Sequence, residues 1–105
     1  MDLGKTIKKI RKQKRQKQRD IAISCGTSQT YLSLIENNLK EPSISMLKLI
    51  SESLNVPLPI LFFLSMTEDD VQANKREAFQ IISPSVKSLV NEFFKVEEIK
   101  TNKTK

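Results

Sequence analysis

Nine basic side chains crowd between Lys5 and Arg19: Lys5, Lys8, Lys9, Arg11, Lys12, Lys14, Arg15, Lys17 and Arg19. Over residues 1–42, ten basic residues face four acidic ones, an excess of +6, whereas residues 43–105 carry eight of each. The net charge of the 105-residue chain therefore sits in its first two fifths. Such a block points to a polyanion, nucleic acid before an acidic membrane surface, with a solvated helix face as the plain alternative. Other chemistry is closed off. There is no His and a single Cys, Cys25. A His/Cys zinc site, a His-based triad and an intrachain disulfide are excluded, and no metal or cofactor is expected. No glycine-rich phosphate loop and no nucleophile with a base is present, so an enzyme is not expected. Cys25 reads as a small buried hydrophobe, with a redox thiol as the minority alternative.

The elements that must carry these charges are helical. Only two glycines and four prolines are present, too few for the turns of a sandwich or barrel, and no stretch alternates with a strand period. Leu3, Ile7 and Ile10 give a first helix its apolar stripe. A short second helix runs from about Gln18 to Ser24, with Ile21 and Ala22 inward, and Gly26 ends it in a left-handed turn. Thr27 or Ser28 offers the N-cap of a third helix, which turns Leu32 and Ile35 inward and stops near Asn37-Asn38. Pro42-Ser43 opens a fourth helix with Met46, Leu47, Ile50 and Leu54 as its apolar set. Pro57 and Pro59 start a fifth, apolar one over Ile60 to Leu64. Thr67 with three acids behind it predicts a sixth helix to about Ile82. Ser83-Pro84-Ser85 breaks it, and a seventh runs from about Val86 to Ile99, with Val96 on its apolar face and a frayed tail after Lys100. The expected fold is all-α. No stretch reaches the roughly 18 apolar residues that span a bilayer, and the N-terminus lacks a signal-peptide core, so the cytoplasm is expected.

A small residue at Ala22, glycine at Gly26 and aliphatic residues at Leu32 and Ile35 form the steric pattern of a helix-turn-helix unit. At this point the chain resembles the phage-repressor/Cro-like helix-turn-helix domains, also called the xenobiotic-response-element type. The resemblance spans Leu3 to Leu64. It rests on Gly4, Ile7, Ile10 and Arg11, on Gln18 to Ala22, on Gly26 to Asn38, and on Pro42-Ser43 with Leu47 through Val56. It implies a five-helix domain that binds double-stranded DNA, usually as a dimer. Two departures stand out: Asn38 replaces the usual glycine after the third helix, and Lys17 replaces the usual threonine before Gln18.

With Leu32 and Ile35 inward, Ser28, Gln29, Thr30, Ser33, Leu34 and Asn37 are left on the outer or leading face of the third helix. Its first residues are the ones that reach base edges. Gln29 can pair bidentately with adenine, and Leu34 can meet a thymine methyl or instead make a core contact. Ser28, Thr30 and Ser33 complete the base-facing set. By resemblance, Gln18 bonds a backbone phosphate, Asn37 contacts phosphate or simply caps the helix, and Arg11 with Glu36 forms a partly buried ion pair. Tyr31 reaches phosphate or packs on the second helix. The basic rim of Lys8, Lys12, Lys14, Arg15, Lys17 and Arg19 adds phosphate contacts without sequence information.

Residues 66–105 carry more apolar surface than a lone helical hairpin hides. A C-terminal two-helix hairpin is expected there, following a DNA-binding domain over residues 1–65. Phe62, Phe63, Leu89 and Phe93 are its candidate homodimer contacts. The alternatives are packing within the chain or a groove for a protein partner. The expectation is a homodimeric transcriptional regulator, a repressor reading a pseudo-palindromic operator with its third helix. The alternative is the antitoxin or controller protein of a two-gene module.

Overall fold

The structure, a computed structural model, describes residues 1–94. They fold into six α-helices and two single 3-10 turns. The helices are α1 (Leu3–Gln13), α2 (Gln18–Ser24), α3 (Gln29–Glu36), α4 (Ile44–Leu54), α5 (Leu58–Ser65) and α6 (Arg76–Phe94). No strand occurs among the described residues, so the all-α expectation holds. Helix α1 packs on α3 and α5, α2 on α3 and α4, and α4 on α5. Ile7, Ile10, Ile21, Ala22, Leu32, Ile35, Leu47, Ile50 and Leu54, inward by the helical period, meet in one core with Cys25, Val56 and Leu61, while Leu3 and Met46 pack only partly buried against it. No single described helix is long and apolar enough to cross a membrane.

Four of these helices end the same way. Within two residues of the helix end the backbone turns left-handed: Arg15 (φ +59°), Gly26 (+70°), Asn38 (+58°) and Asn55 (+59°). The next N–H then reaches back to a carbonyl of the last turn. Gln16 donates to Arg11, Thr27 to Ala22, Leu39 to Leu34 and Val56 to Ser51, all at 2.8–3.0 Å. Otherwise orphaned carbonyls are satisfied and the chain reverses tightly. Only one of the four positions is glycine, so the other three carry the cost of a Cβ in this conformation.

Asn38 has a compensation that glycine would lack. Its Oδ1 accepts the Gly4 N–H (3.2 Å) and its Nδ2 donates to Asp2 Oδ1 (2.8 Å). The end of α3 is thereby tied to the start of α1, where Asp2 also caps Lys5 N–H. The helices cross closely there. A Cβ on Gly4 would collide with the backbone carbonyls of Ile35 and Glu36.

The C-terminal segment departs from expectation. Thr67 caps no α-helix. It opens a 3-10 turn over Glu68–Asp70, in which Asp70 Oδ2 accepts the Thr67 N–H at 2.8 Å and the Met1 amino group sits 3.0 Å away. Val71 is extended and ends the turn. A second turn over Ala73–Lys75 leads into α6, and Arg76 Nε donates to the carbonyls of Glu68 (2.9 Å) and Val71 (3.2 Å). The expected break at Ser83-Pro84-Ser85 is absent, and one helix runs through Pro84. The reason lies in the pattern of burial. Phe79, Ser83, Val86 and Val90 form a covered stripe along it, at i, i+4, i+7 and i+11. That stripe is continuous across the proline, which stands on the exposed side. Burial along the stripe offsets the hydrogen bond that proline removes. The expected hairpin is therefore replaced by a loop and a single helix. The expectations for Val96, for a helix to Ile99 and for a tail after Lys100 lie outside the described residues.

Candidate nucleic-acid interface

The unit α2–turn–α3 presents α3 to solvent. Ile21 and Ala22 hold α2 to the core and Leu32 and Ile35 hold α3. Gly26 makes the turn between them with no heavy atom within 4 Å of a notional Cβ, so its role is conformational rather than spatial. Ser28 is the N-cap of α3: its Oγ accepts the Tyr31 N–H at 3.0 Å. Lys17 precedes α2 with no side-chain cap, and the helix still begins at Gln18.

On α3, Gln29 and Thr30 are exposed, Ser33 is half-buried, and Leu34 is 36% exposed. Asn37 is the exposed C-cap, and its Nδ2 turns back to the Ser33 carbonyl at 2.9 Å. Tyr31 is half-buried against the core.

Behind this face runs a chain of polar side chains. Arg11 Nε donates to Glu36 Oε2 at 2.7 Å and Arg11 Nη2 to Glu36 Oε1 at 3.0 Å. The pair is bidentate and nearly dry, with side chains 10% and 1% exposed. Arg11 Nη1 also donates to the Gln16 carbonyl, which fixes the loop after α1. Glu36 Oε1 accepts a second donor, Gln18 Nε2, at 3.0 Å. Gln18 Oε1 in turn accepts Gln29 Nε2 at 3.2 Å. A buried ion pair between α1 and α3 thus positions the first residue of α3 through the first residue of α2.

The basic rim is less uniform than its composition suggests. Lys12, Lys17 and Arg19 are exposed and Lys8 half-buried. Arg15 is exposed on its left-handed backbone. Lys14 leaves the rim. Its Nζ donates to the Leu54 carbonyl at 2.7 Å, capping the C-terminus of α4, and burial pushes its pKa down. Cys25 is 4% exposed, and burial pushes its thiol pKa up. No group of three His, Cys, Asp or Glu among the described residues is placed to hold a metal ion. Sequence reasoning missed the roles of Asn38 and Lys14. For Asn38 the signal was an amide at a left-handed position facing Asp2 and Gly4; for Lys14 the sequence carries none, since α4 is distant along the chain.

Among the expected dimer contacts, Phe62 leans on the core and Phe63 is half-buried. Leu89 and Phe93 are exposed, at 58% and 77%, as is Ile82 at 56%. They share one face of α6 at i, i+7 and i+11, beside its covered stripe.

A short α2, a glycine turn and an exposed, internally braced α3, packed on a basic first helix, define a helix-turn-helix protein. The chain belongs to the helix-turn-helix family, whose profile matches residues 7–61. It is similar to a protein of Bacillus phage phi105 described as an "ImmF control region 10 kDa protein". The two are 44% identical over 69 residues, 66% of this chain and 73% of the phage protein. No solved structure matches it. The chain is a DNA-binding transcription regulator of the phage-repressor type.

Proposed function

We propose that this chain is a homodimeric repressor that reads a pseudo-palindromic operator by laying α3 in the major groove. The observation that carries the reading is the bracing of Gln29. One N–H of its amide is held by Gln18. The other N–H and the carbonyl oxygen remain for N7 and N6 of adenine, the bidentate pattern of that base. Thr30, Ser33 and Leu34 follow on the same face, with Leu34 toward a thymine methyl and Ser28 at the leading end. Lys17, Gln18, Arg15 and Asn37 flank this face as phosphate contacts, and Tyr31 serves mainly as packing. The phage relative's description as a control-region protein supports the same reading.

A single α3 reads only a few base pairs, so specificity calls for two of them about 10 base pairs apart. The exposed face of α6, with Ile82, Leu89 and Phe93, supplies the symmetric contact. Selection of binding sites from random DNA by the purified protein tests the reading. A palindromic consensus is expected. Gln29→Ala should then weaken the consensus by about 1–3 kcal/mol and relax one base position. Equal loss on consensus and random DNA refutes base reading by Gln29. Leu89→Asp with Phe93→Asp should give a monomer by light scattering. An unchanged dimer, or a dimer lost only when a neighbouring gene's product is added, favours the antitoxin reading.

A further inference from the structure

Leu39 is 72% exposed, the most exposed large apolar side chain among residues 1–65. It stands on a fixed backbone. Its N–H donates to the Leu34 carbonyl at 2.8 Å. Asn38, the left-handed residue before it, is held by Gly4 N–H and Asp2. Leu34, itself 36% exposed, lies one hydrogen bond away at the same end of α3. The surroundings of Leu39 are polar: Asn37 and Asn38 precede it and Lys40 follows. Flexible loops tolerate a bare leucine at little cost, but this one is held out rigidly beside the base-reading face, where lysine would serve a phosphate and serine would serve water. The apolar group that the major groove offers is the C5-methyl of thymine.

We propose that Leu39 is a specificity-determining residue that packs on a thymine methyl, extending the readout of α3 past its C-terminal end. The proposal rests on the reading of α3 as the element in the major groove. Continuity with Leu34 and the locked backbone favour DNA as the partner over a second copy of this chain.

Deoxyuridine in place of thymine removes that methyl and nothing else. Each thymine of the selected consensus is replaced in turn, and affinity is measured for the wild-type protein and for Leu39→Ala. Because Leu39 is exposed, the substitution leaves the core intact. One thymine per half-site should lose about fourfold in affinity with the wild-type protein, the worth of one buried methyl group. The same replacement should have no effect with Leu39→Ala, while every other thymine keeps its wild-type response. If no thymine loses its sensitivity in Leu39→Ala while Gln29→Ala still relaxes its own base, Leu39 is not a reader and the α3 assignment stands. If Leu39→Ala instead shifts the oligomeric state in light scattering without touching the uridine pattern, the occupant is a second copy and the proposal is overturned. Failure to select any consensus overturns both readings together.

Discussion

Replacing Arg11 by Met strands the Glu36 carboxylate in a site where its side chain is 1% exposed. Of its three hydrogen bonds, the two from Arg11 vanish and the one from Gln18 remains. Breaking one side of such a pair typically costs about 3–5 kcal/mol, because the remaining charge is buried without compensation. The surviving Gln18 amide places the expected loss near the lower end, about 3 kcal/mol. A domain of this size is stable by only about 5–10 kcal/mol, so the melting temperature should fall on the order of 15 °C or more. Arg11→Met with Glu36→Leu removes both charges and should return to within about 1–2 kcal/mol of the parent. Its DNA affinity should stay low, since Gln18 has lost the acceptor that orients it toward Gln29. Urea and thermal unfolding by circular dichroism, with DNA binding measured on the same samples, separate the two effects. If each single substitution costs less than about 1 kcal/mol, the pair is not desolvated as described. A double variant no more stable than Arg11→Met would likewise refute the reasoning.

Gly4→Ala should destabilise by about 1–3 kcal/mol, because its methyl meets backbone carbonyls of α3 and must push two helices apart; thermal unfolding reads it. Asn55→Gly should raise stability by up to about 1 kcal/mol by relieving a left-handed Cβ. Asn38→Gly should lower it by about as much despite the same relief, since two hydrogen bonds go with the side chain; shifts of the same sign in urea midpoints would remove the account given for Asn38. The Asn38 amide, and after it the Lys5 N–H, hold the Asp2 carboxyl below its usual range. Its folded pKa is thus below its unfolded one, near 3.9, so its contribution is full above that value and fades as pH falls through the folded pKa. Asp2→Asn should flatten that part of the acid limb of stability against pH. DNA affinity should fall by orders of magnitude between about 50 and 200 mM salt if roughly six or more phosphates are contacted.

The core was legible because each of the first four helices buries what its period announces: Ile7 with Ile10, Ile21 with Ala22, Leu32 with Ile35, Leu47 with Ile50 and Leu54. Gly26 was legible as a turn, since glycine is the default left-handed residue. Arg15 was not, because its conformation is dictated by the return of Gln16 to Arg11 across the helix end. Lys14 and Lys12 are alike in the sequence. Only the nearness of the α4 carboxyl end tells them apart. Pro84 misled for a related reason. Proline breaks a helix by its local geometry, whereas the covered stripe from Phe79 to Val90 spans it on the opposite side. The outward face of α3 follows from its period alone, but the bridge from Glu36 through Gln18 to Gln29 needs α2 docked against α3.

Helix α3 is held at both ends: Gln18 of α2 takes its first residue, Gln29, while its C-terminal end is tied to α1 through Glu36 to Arg11 and through Asn38 to Gly4 and Asp2. The helix is therefore set before any DNA arrives. The conformational entropy of ordering it is lost when the domain folds, not when it binds, so the bound complex need not offset it again. Exposed side chains on such a helix can change without disturbing how it is held. On the reading proposed above, a protein built this way acquires a new operator by substitution at Gln29, Thr30, Ser33, Leu34 or Leu39, with its scaffold left unaltered.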